Sequence, residues 1–263
     1  MKIAICVKQV PDSWAEKKMV SGRLDRESVD AVLNDLDEYA IEEALRIVEP
    51  LNEGKETPEH TITLISMGPD RASEAIRKGL SMGADSGILI SDPALQGSDA
   101  VSTAKVLAKT IAEGGFDLVF CGTESTDARM SVVPAMLSEL LGWAQLTFAG
   151  SVKVDVAGKK VEIARMTDSG VESMNANFPC VVSVIEKINE PRYPSFKGIM
   201  AAKKKPIENK SLSDIGIDTN EIKAWSDVLD SQPRPPREKG LKLEDSGDGG
   251  AKLADYLLEK RLV

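Results

Sequence analysis

Four times in the first 141 residues, a short apolar run gives way to a segment with helical periodicity. This alternation constrains the chain more than any other feature. Residues 3–7 (Ile3, Ala4, Ile5, Cys6, Val7) form a continuous apolar run, the pattern of a strand covered on both faces. A polar stretch with Pro11 and Gly22 follows, and its pattern assigns it to no element. Apolar residues then recur at three-four spacing over 35–49 (Ala40, Ile41, Ala44, Leu45, Val48), which predicts an amphipathic helix ended by Pro50. Strand signals at 61–66, 87–90 and 116–121 alternate with helix signals at 70–82, 98–113 and 132–141, with Ser98 or Asp99 as the cap of the third helix. Such an order predicts an α/β fold: a mostly parallel, Rossmann-like sheet with helices on both faces and right-handed connections.

The pattern changes after residue 146. Val152, Val154 and Val156 alternate with polar residues, Ala157-Gly158 turns the chain, and Val161 and Ile163 alternate again, a hairpin pattern. With strand material at 171–176 and 180–185, residues 147–186 are expected to extend or flank the parallel core as added antiparallel strands. From 206 to 250 the chain is polar and rich in Pro, Asp and Gly, with Gln-Pro-Arg-Pro-Pro at 232–236, a composition that rarely builds a core. The expected division is a domain of 1–205 and an extended C-terminal arm of 206–263. The arm ends in an amphipathic helix over 251–262 (Leu253, Leu257, Leu258, Leu262). That helix either wraps onto another surface or packs back on its own domain.

Composition removes several function classes. The formal charge is −9, and the window 187–205 carries six basic residues and one acid, so the rest stands at −14. An acidic chain with one basic segment does not offer the broad cationic face that nucleic acid requires. His60 is the single histidine, so a His-rich metal site cannot be built and a Ser-His-Asp triad would have to use it. Cys6, Cys121 and Cys180 are far apart in sequence and set in apolar runs, with no Cys-x-x-Cys pair, which points to buried reduced thiols in a cytoplasmic protein. No run is long enough for a membrane-crossing helix and no signal peptide is expected.

In an open parallel sheet, ligands bind beyond the carboxyl ends of the strands. Here those ends read Cys6-Val7-Lys8, Met67-Gly68-Pro69 and Cys121-Gly122-Thr123. After the last of them, Gly122, Ser125, Thr126 and Ser131 bring small or hydroxyl groups to a helix start. Backbone amides there favour an anion, and Arg129 could pair with a phosphate. Strand–Gly–polar–helix turns occur throughout α/β folds, so the residues leave a nucleotide site and an ordinary capped turn both open. No Gly-x-x-x-x-Gly-Lys-Ser/Thr motif occurs, which argues against an ATP-hydrolysing or adenylating enzyme.

Residues 189–208 are the most distinctive stretch. Pro191 and Pro194 stiffen the approach, Gly198 is read as a bend, Phe196, Ile199 and Met200 form an apolar set, and Lys203, Lys204 and Lys205 follow before Pro206. A rigid loop that presents a large apolar side chain beside concentrated charge suits docking to an acidic partner. A solvated surface loop is the plainer alternative.

This stretch, with Arg192-Tyr193 at its head, closely resembles the recognition loop of the electron-transfer flavoprotein β subunit. The resemblance extends over nearly the whole chain: Val7-Lys8, Asn34 with Asp37-Glu38, Met67-Gly68-Pro69, Gly83-Ala84-Asp85 and the 122–134 segment. It implies an adenine-nucleotide-hydrolase-like fold and a heterodimer with an α subunit carrying one FAD, held mostly by α. It also implies an AMP without catalytic role, with contacts carried over onto Cys6, Asn34, Met67, Gly122, Thr123, Ser125, Thr126, Asp127, Arg129, Met130, Ser131, Val132, Val133 and Pro134. No residue then acts as acid, base or nucleophile. Electrons pass from acyl-CoA and related dehydrogenases toward a quinone oxidoreductase, and the partner surface comprises Arg192, Tyr193, Phe196, Ile199, Met200, Lys203, Lys204 and Lys205. Three departures stand out. Phe196 replaces the usual leucine, Asp35-Leu36 follows Asn34 where Pro-Phe is common, and 126–134 lacks the usual glycines. Two alternatives therefore stay open: an electron-bifurcating subunit with FAD in the same cleft, and a stress-protein-like nucleotide-binding module.

Overall fold

The computed structural model describes every residue except Pro233, Leu241 and Leu243. The chain divides into one unit of Met1–Leu229 and a second of Asp230–Val263. In chain order the elements begin with β1 (Lys2–Cys6), β2 (Gln9–Pro11), β3 (Met19–Val20), β4 (Arg23–Leu24), β5 (Ala31–Leu33), α1 (Asp35–Asn52), β6 (Thr61–Met67), α2 (Ser73–Met82) and β7 (Ser86–Ile90). There follow α3 (Ala100–Gly114), β8 (Leu118–Gly122), α4 (Val133–Leu141), β9 (Ala144–Asp155), β10 (Lys160–Thr167), β11 (Gly170–Asn177), β12 (Cys180–Val184), α5 (Phe196–Ala202), β13 (Ile207–Lys210) and α6 (Gly249–Glu259).

The main sheet runs β11-β10-β9-β12-β8-β1-β6-β7-β13. Every pairing from β9 to β13 is parallel, and β10 pairs antiparallel with β9 and β11. The expected α/β fold, with its parallel core and added antiparallel strands, is what the chain adopts. Strand alternation sorts side chains into two cores. Ile3 and Ile5 join Ile41 and Ala44 of α1 and Ile76 and Leu80 of α2 on one face. Ala4 and Cys6 join Val106 and Ile111 of α3 and Leu137 of α4 on the other. Each fully buried Ile, Leu or Val among them stabilises the fold by about 1.5–3 kcal/mol. The three cysteines are buried and free.

Four local differences from the sequence reading have identifiable causes. Pro50 does not end α1, which continues to Asn52. A proline's fixed φ is helical, so near a C-terminus it costs one hydrogen bond and the helix closes within the next turn. Residues 70–82 split into a 3-10 turn over Asp70–Ala72 and then α2. The unassigned stretch before α1 holds an antiparallel β2–β5 ribbon and a β3–β4 hairpin, whose turn residues Ser21 and Gly22 both have positive φ, as a tight right-twisted hairpin requires. Finally, residues 206–229, read as the start of the arm, belong to the first unit. β13 adds to the sheet edge beside β7, and Leu212, Ile215 and Ile222 are buried in the second core. A few well-spaced apolar residues are enough to seat an otherwise polar segment. In the second unit, α6 forms where helical periodicity predicted it, with no buried residue. The proline run at 232–236 lies partly outside the described residues.

Candidate functional site

The carboxyl ends of β1 and β8 meet the start of α1, and one buried asparagine ties them together. Asn34 is 1% exposed. Its Nδ2 donates to Asp37 Oδ1 (2.9 Å) and to the Glu124 carbonyl (2.9 Å), and its Oδ1 accepts from the Thr126 amide (3.0 Å). Asp37 also accepts from the Lys8 amide (2.8 Å), and complete burial pushes its carboxyl up to about 7 against these donors. Gly122 sits under this junction. A Cβ there would lie 2.6 Å from Asp37 Oδ1 and 2.7 Å from the Leu36 carbonyl, so only glycine lets α1 approach β8 this closely. Thr123 Oγ1 donates to the Val184 carbonyl (2.6 Å).

The 122–134 turn is held from inside by charge. The Asp127 side chain is 1% exposed and lies between Lys8 Nζ (2.7 Å) and the Arg26 guanidinium (Nη2 2.6 Å, Nε 3.0 Å). Burial works to raise its carboxyl, but Lys8 and Arg26 outweigh it and hold the group at about 2. Lys8 Nζ also donates to Ser125 Oγ (3.2 Å). Beyond Asp127, Ser131 Oγ donates to Glu124 Oε2 (2.8 Å), and Arg129 Nη1 lies 3.6 Å from Glu124 Oε1. Arg129 (φ +49°) and Ser131 (φ +55°) are both left-handed, and Val132 returns to the right-handed region before α4 begins at Val133-Pro134. Alternation of this kind turns successive amides toward one point, a concavity suited to an anion. Cys6 lies level with Cys121 across the β1–β8 pairing, and both join the second core, with Met67 packed against it.

The second region is the 189–205 segment. It is a capped helix, not the expected bent loop. Ser195 Oγ accepts from the Gly198 amide (3.1 Å) and starts α5, in which Gly198 lies in the first turn. The glycine serves contact: a Cβ there would lie 2.5 Å from the Ser81 carbonyl oxygen. Phe196 is 79% exposed and Tyr193 95%, with Ile199 and Met200 also exposed. Phe196, Ile199 and Met200 share one helix face by their three-four spacing. Lys203 and Lys204 are exposed. Two residues expected on the partner surface are engaged internally instead. Arg192 is paired with Glu42 (2.7 Å) and Glu49, both on α1, and these carboxylates raise its already high pKa. Lys205 Nζ donates to the carbonyls of Leu80 (3.2 Å), Gly83 (3.0 Å) and Ala84 (2.5 Å), and burial lowers its pKa. The cause is position: each follows a segment that must be tied to a neighbouring helix, and a long cation reaches that tie most easily.

Residues 21–215 match the family model described as the electron transfer flavoprotein domain. The chain is 45% identical to "Electron transfer flavoprotein subunit beta" of Mycobacterium bovis, over 99% of both chains. It is 35% identical to the subunit of that name from Megasphaera elsdenii, over 99% of this chain and 97% of the relative. It is 33% identical to "Protein FixA" of Azotobacter vinelandii, over 99% and 94%. The chain belongs to the electron transfer flavoprotein family, as a β subunit. It is therefore a subunit of an electron carrier and not an enzyme, and its family implies both flavin and an α-subunit partner.

In this β subunit the strand ends bring together Cys6, Asn34 and the turn from Gly122 to Pro134. Two residues that organise them, Lys8 and Arg26, are not among the expected site residues. The sequence places Lys8 at the end of the first strand, two residues beyond Cys6, but does not show its long cation reaching Asp127. Arg26 lies in the unassigned polar stretch, and nothing in its neighbourhood announces a partner 101 positions away. His60 sits at the opposite end of β6, where its Nδ1 lies 3.1 Å from the N-terminal amine. Among the described residues, no helix is long and apolar enough to cross a membrane.

Proposed function

We propose that this β subunit pairs with an α subunit carrying most of the FAD contacts, holds an adenine nucleotide in the 122–134 turn, and docks acyl-CoA and related dehydrogenases through α5. The bound flavin accepts electrons from the dehydrogenase and yields them toward a quinone oxidoreductase. The residues of this chain hold and orient; none needs to move a proton. The observation that carries the reading is Phe196, a large apolar side chain held in the open on a capped helix and flanked by Lys197, Lys203 and Lys204. With Ile199 and Met200, Phe196 forms a contiguous exposed apolar patch on one helix face, the kind that marks a contact surface, and the lysines suit a groove with an acidic rim.

The turn fits a nucleotide phosphate. Asp127, Ser125 and Thr123 are engaged by Lys8, Arg26 and the Val184 carbonyl, and the left-handed Arg129 and Ser131 would leave the following amides to meet an anion. The second unit, with the exposed Leu253, Leu258 and Leu262 in and beside α6, is proposed as an arm that covers part of the α subunit.

Co-expression with the α subunit and analysis of nucleotides released on denaturation test the reading. One FAD and one AMP per heterodimer are expected. Two FAD without AMP would assign the cleft to a second flavin, and a colourless homodimer would remove the electron-carrier arrangement.

A further inference from the structure

We infer that α5 is a recognition element ordered in advance by a clamp at each end, and that Arg192 is a positioning residue of this clamp and not a contact for the partner. This rests on the docking reading above and concerns how that surface is held. Arg192 donates from its backbone amide and from all three guanidinium nitrogens to Glu42 and Glu49. Glu42 is buried and also accepts from Arg46 (3.0 Å), so the guanidinium meets a carboxylate that is itself fixed. Just before it, Asn189 Nδ2 donates to the Tyr39 carbonyl and to Glu43 Oε2, both at 3.1 Å. Every one of these acceptors lies on α1.

The far end is tied to α2. Arg77 Nη1 donates to the carbonyls of Ala202 and Lys205, both at 2.6 Å. Lys205 Nζ in turn donates to the carbonyls of Leu80, in the last turn of α2, and of Gly83 and Ala84 just beyond it. Between the two ties lie seven helical residues, far fewer than an isolated helix needs to persist in water. The helix therefore owes its order to its ends and to the seat of Gly198 on the Ser81 carbonyl. A surface already ordered binds without the entropy loss of ordering it at the encounter.

The test uses the purified α/β complex and the acyl-CoA dehydrogenase of a coupling assay. Affinity is read by calorimetry, order by hydrogen exchange of the 196–202 amides, and integrity by FAD content. Glu49→Gln is the decisive variant because Glu49 lies at the surface and its loss spares the fold. Arg192→Lys keeps the charge but cannot span both carboxylates. The clamp requires both variants to raise exchange in 196–202 and to weaken docking roughly tenfold, with FAD unchanged. If Arg192 met the partner directly, Glu49→Gln would free it and leave affinity unchanged or tighter, and Arg192→Lys would largely retain binding. That outcome overturns the clamp. Phe196→Ala keeps the two readings apart. If it weakens docking while the clamp variants do not, the helix docks but is not held as described; if it too has no effect, the docking surface itself is misplaced.

Discussion

The turn at 122–134 and the segment at 189–205 belong to the same unit and use charge in opposite directions. At the turn, Lys8 and Arg26 close on Asp127 from outside it, and Arg129 and Ser131 hold the left-handed backbone on which the proposed nucleotide site rests. In the segment, Arg192 and Lys205 face inward as ties, and the Tyr193, Phe196, Ile199 and Met200 side chains stay exposed. Charge in both places organises the chain; under the proposed function, recognition would fall to amides in one and to an aromatic ring in the other. A small anion needs converging donors, whereas a protein surface needs desolvated apolar area.

The largest effect expected along this contrast is from Phe196→Ala. Losing a central apolar anchor should cost about 2–4 kcal/mol of dehydrogenase binding, with FAD and nucleotide content unchanged. Loss of nucleotide from that variant would break the separation of the two regions. Asp127→Asn should come next, destabilising the turn by about 2 kcal/mol at neutral pH, discounted because Lys8 and Arg26 are partly in water. The sign follows from the depressed carboxyl. Its stabilisation is complete above the ordinary carboxyl value of 3.8 and is lost as pH falls through the folded value of about 2. Hydrogen exchange of residues 123–134 should therefore show acid loosening in the parent and a flat response in the variant. An equal acid response in both would assign the effect to another group. The smallest change is a gain: Ser131→Gly relieves a left-handed non-glycine residue and should stabilise by up to about 1 kcal/mol in chemical denaturation, without reducing nucleotide content. A loss of stability there would mean that the Ser131–Glu124 hydrogen bond outweighs the strain.

The strands and helices of the parallel core were legible because each is long enough to show its period, as in 3–7 or 35–49. β2 to β5 were not, since strands of two or three residues carry no period and β2 pairs with a strand some twenty residues away. β13 was hidden by its polar Glu208 and Asn209, acceptable at a sheet edge. α5 was concealed by Gly198, whose place in a helix makes sense only once Ser81 is seen beside it. Residue types pointed to the 122–134 turn, but its left-handed positions could not be read from Arg129 and Ser131, which seldom adopt them. Arg26 and the inward course of Arg192 depend on distant partners that no local pattern encodes.

Helix α1 carries both regions on one rod. Its N-cap Asn34 and first-turn Asp37 grip the strand ends, and its later turns hold the 189–192 segment through Tyr39, Glu42, Glu43 and Glu49. Evolution, or an engineer, cannot retune this girder for one tenant without resetting the footing of the other.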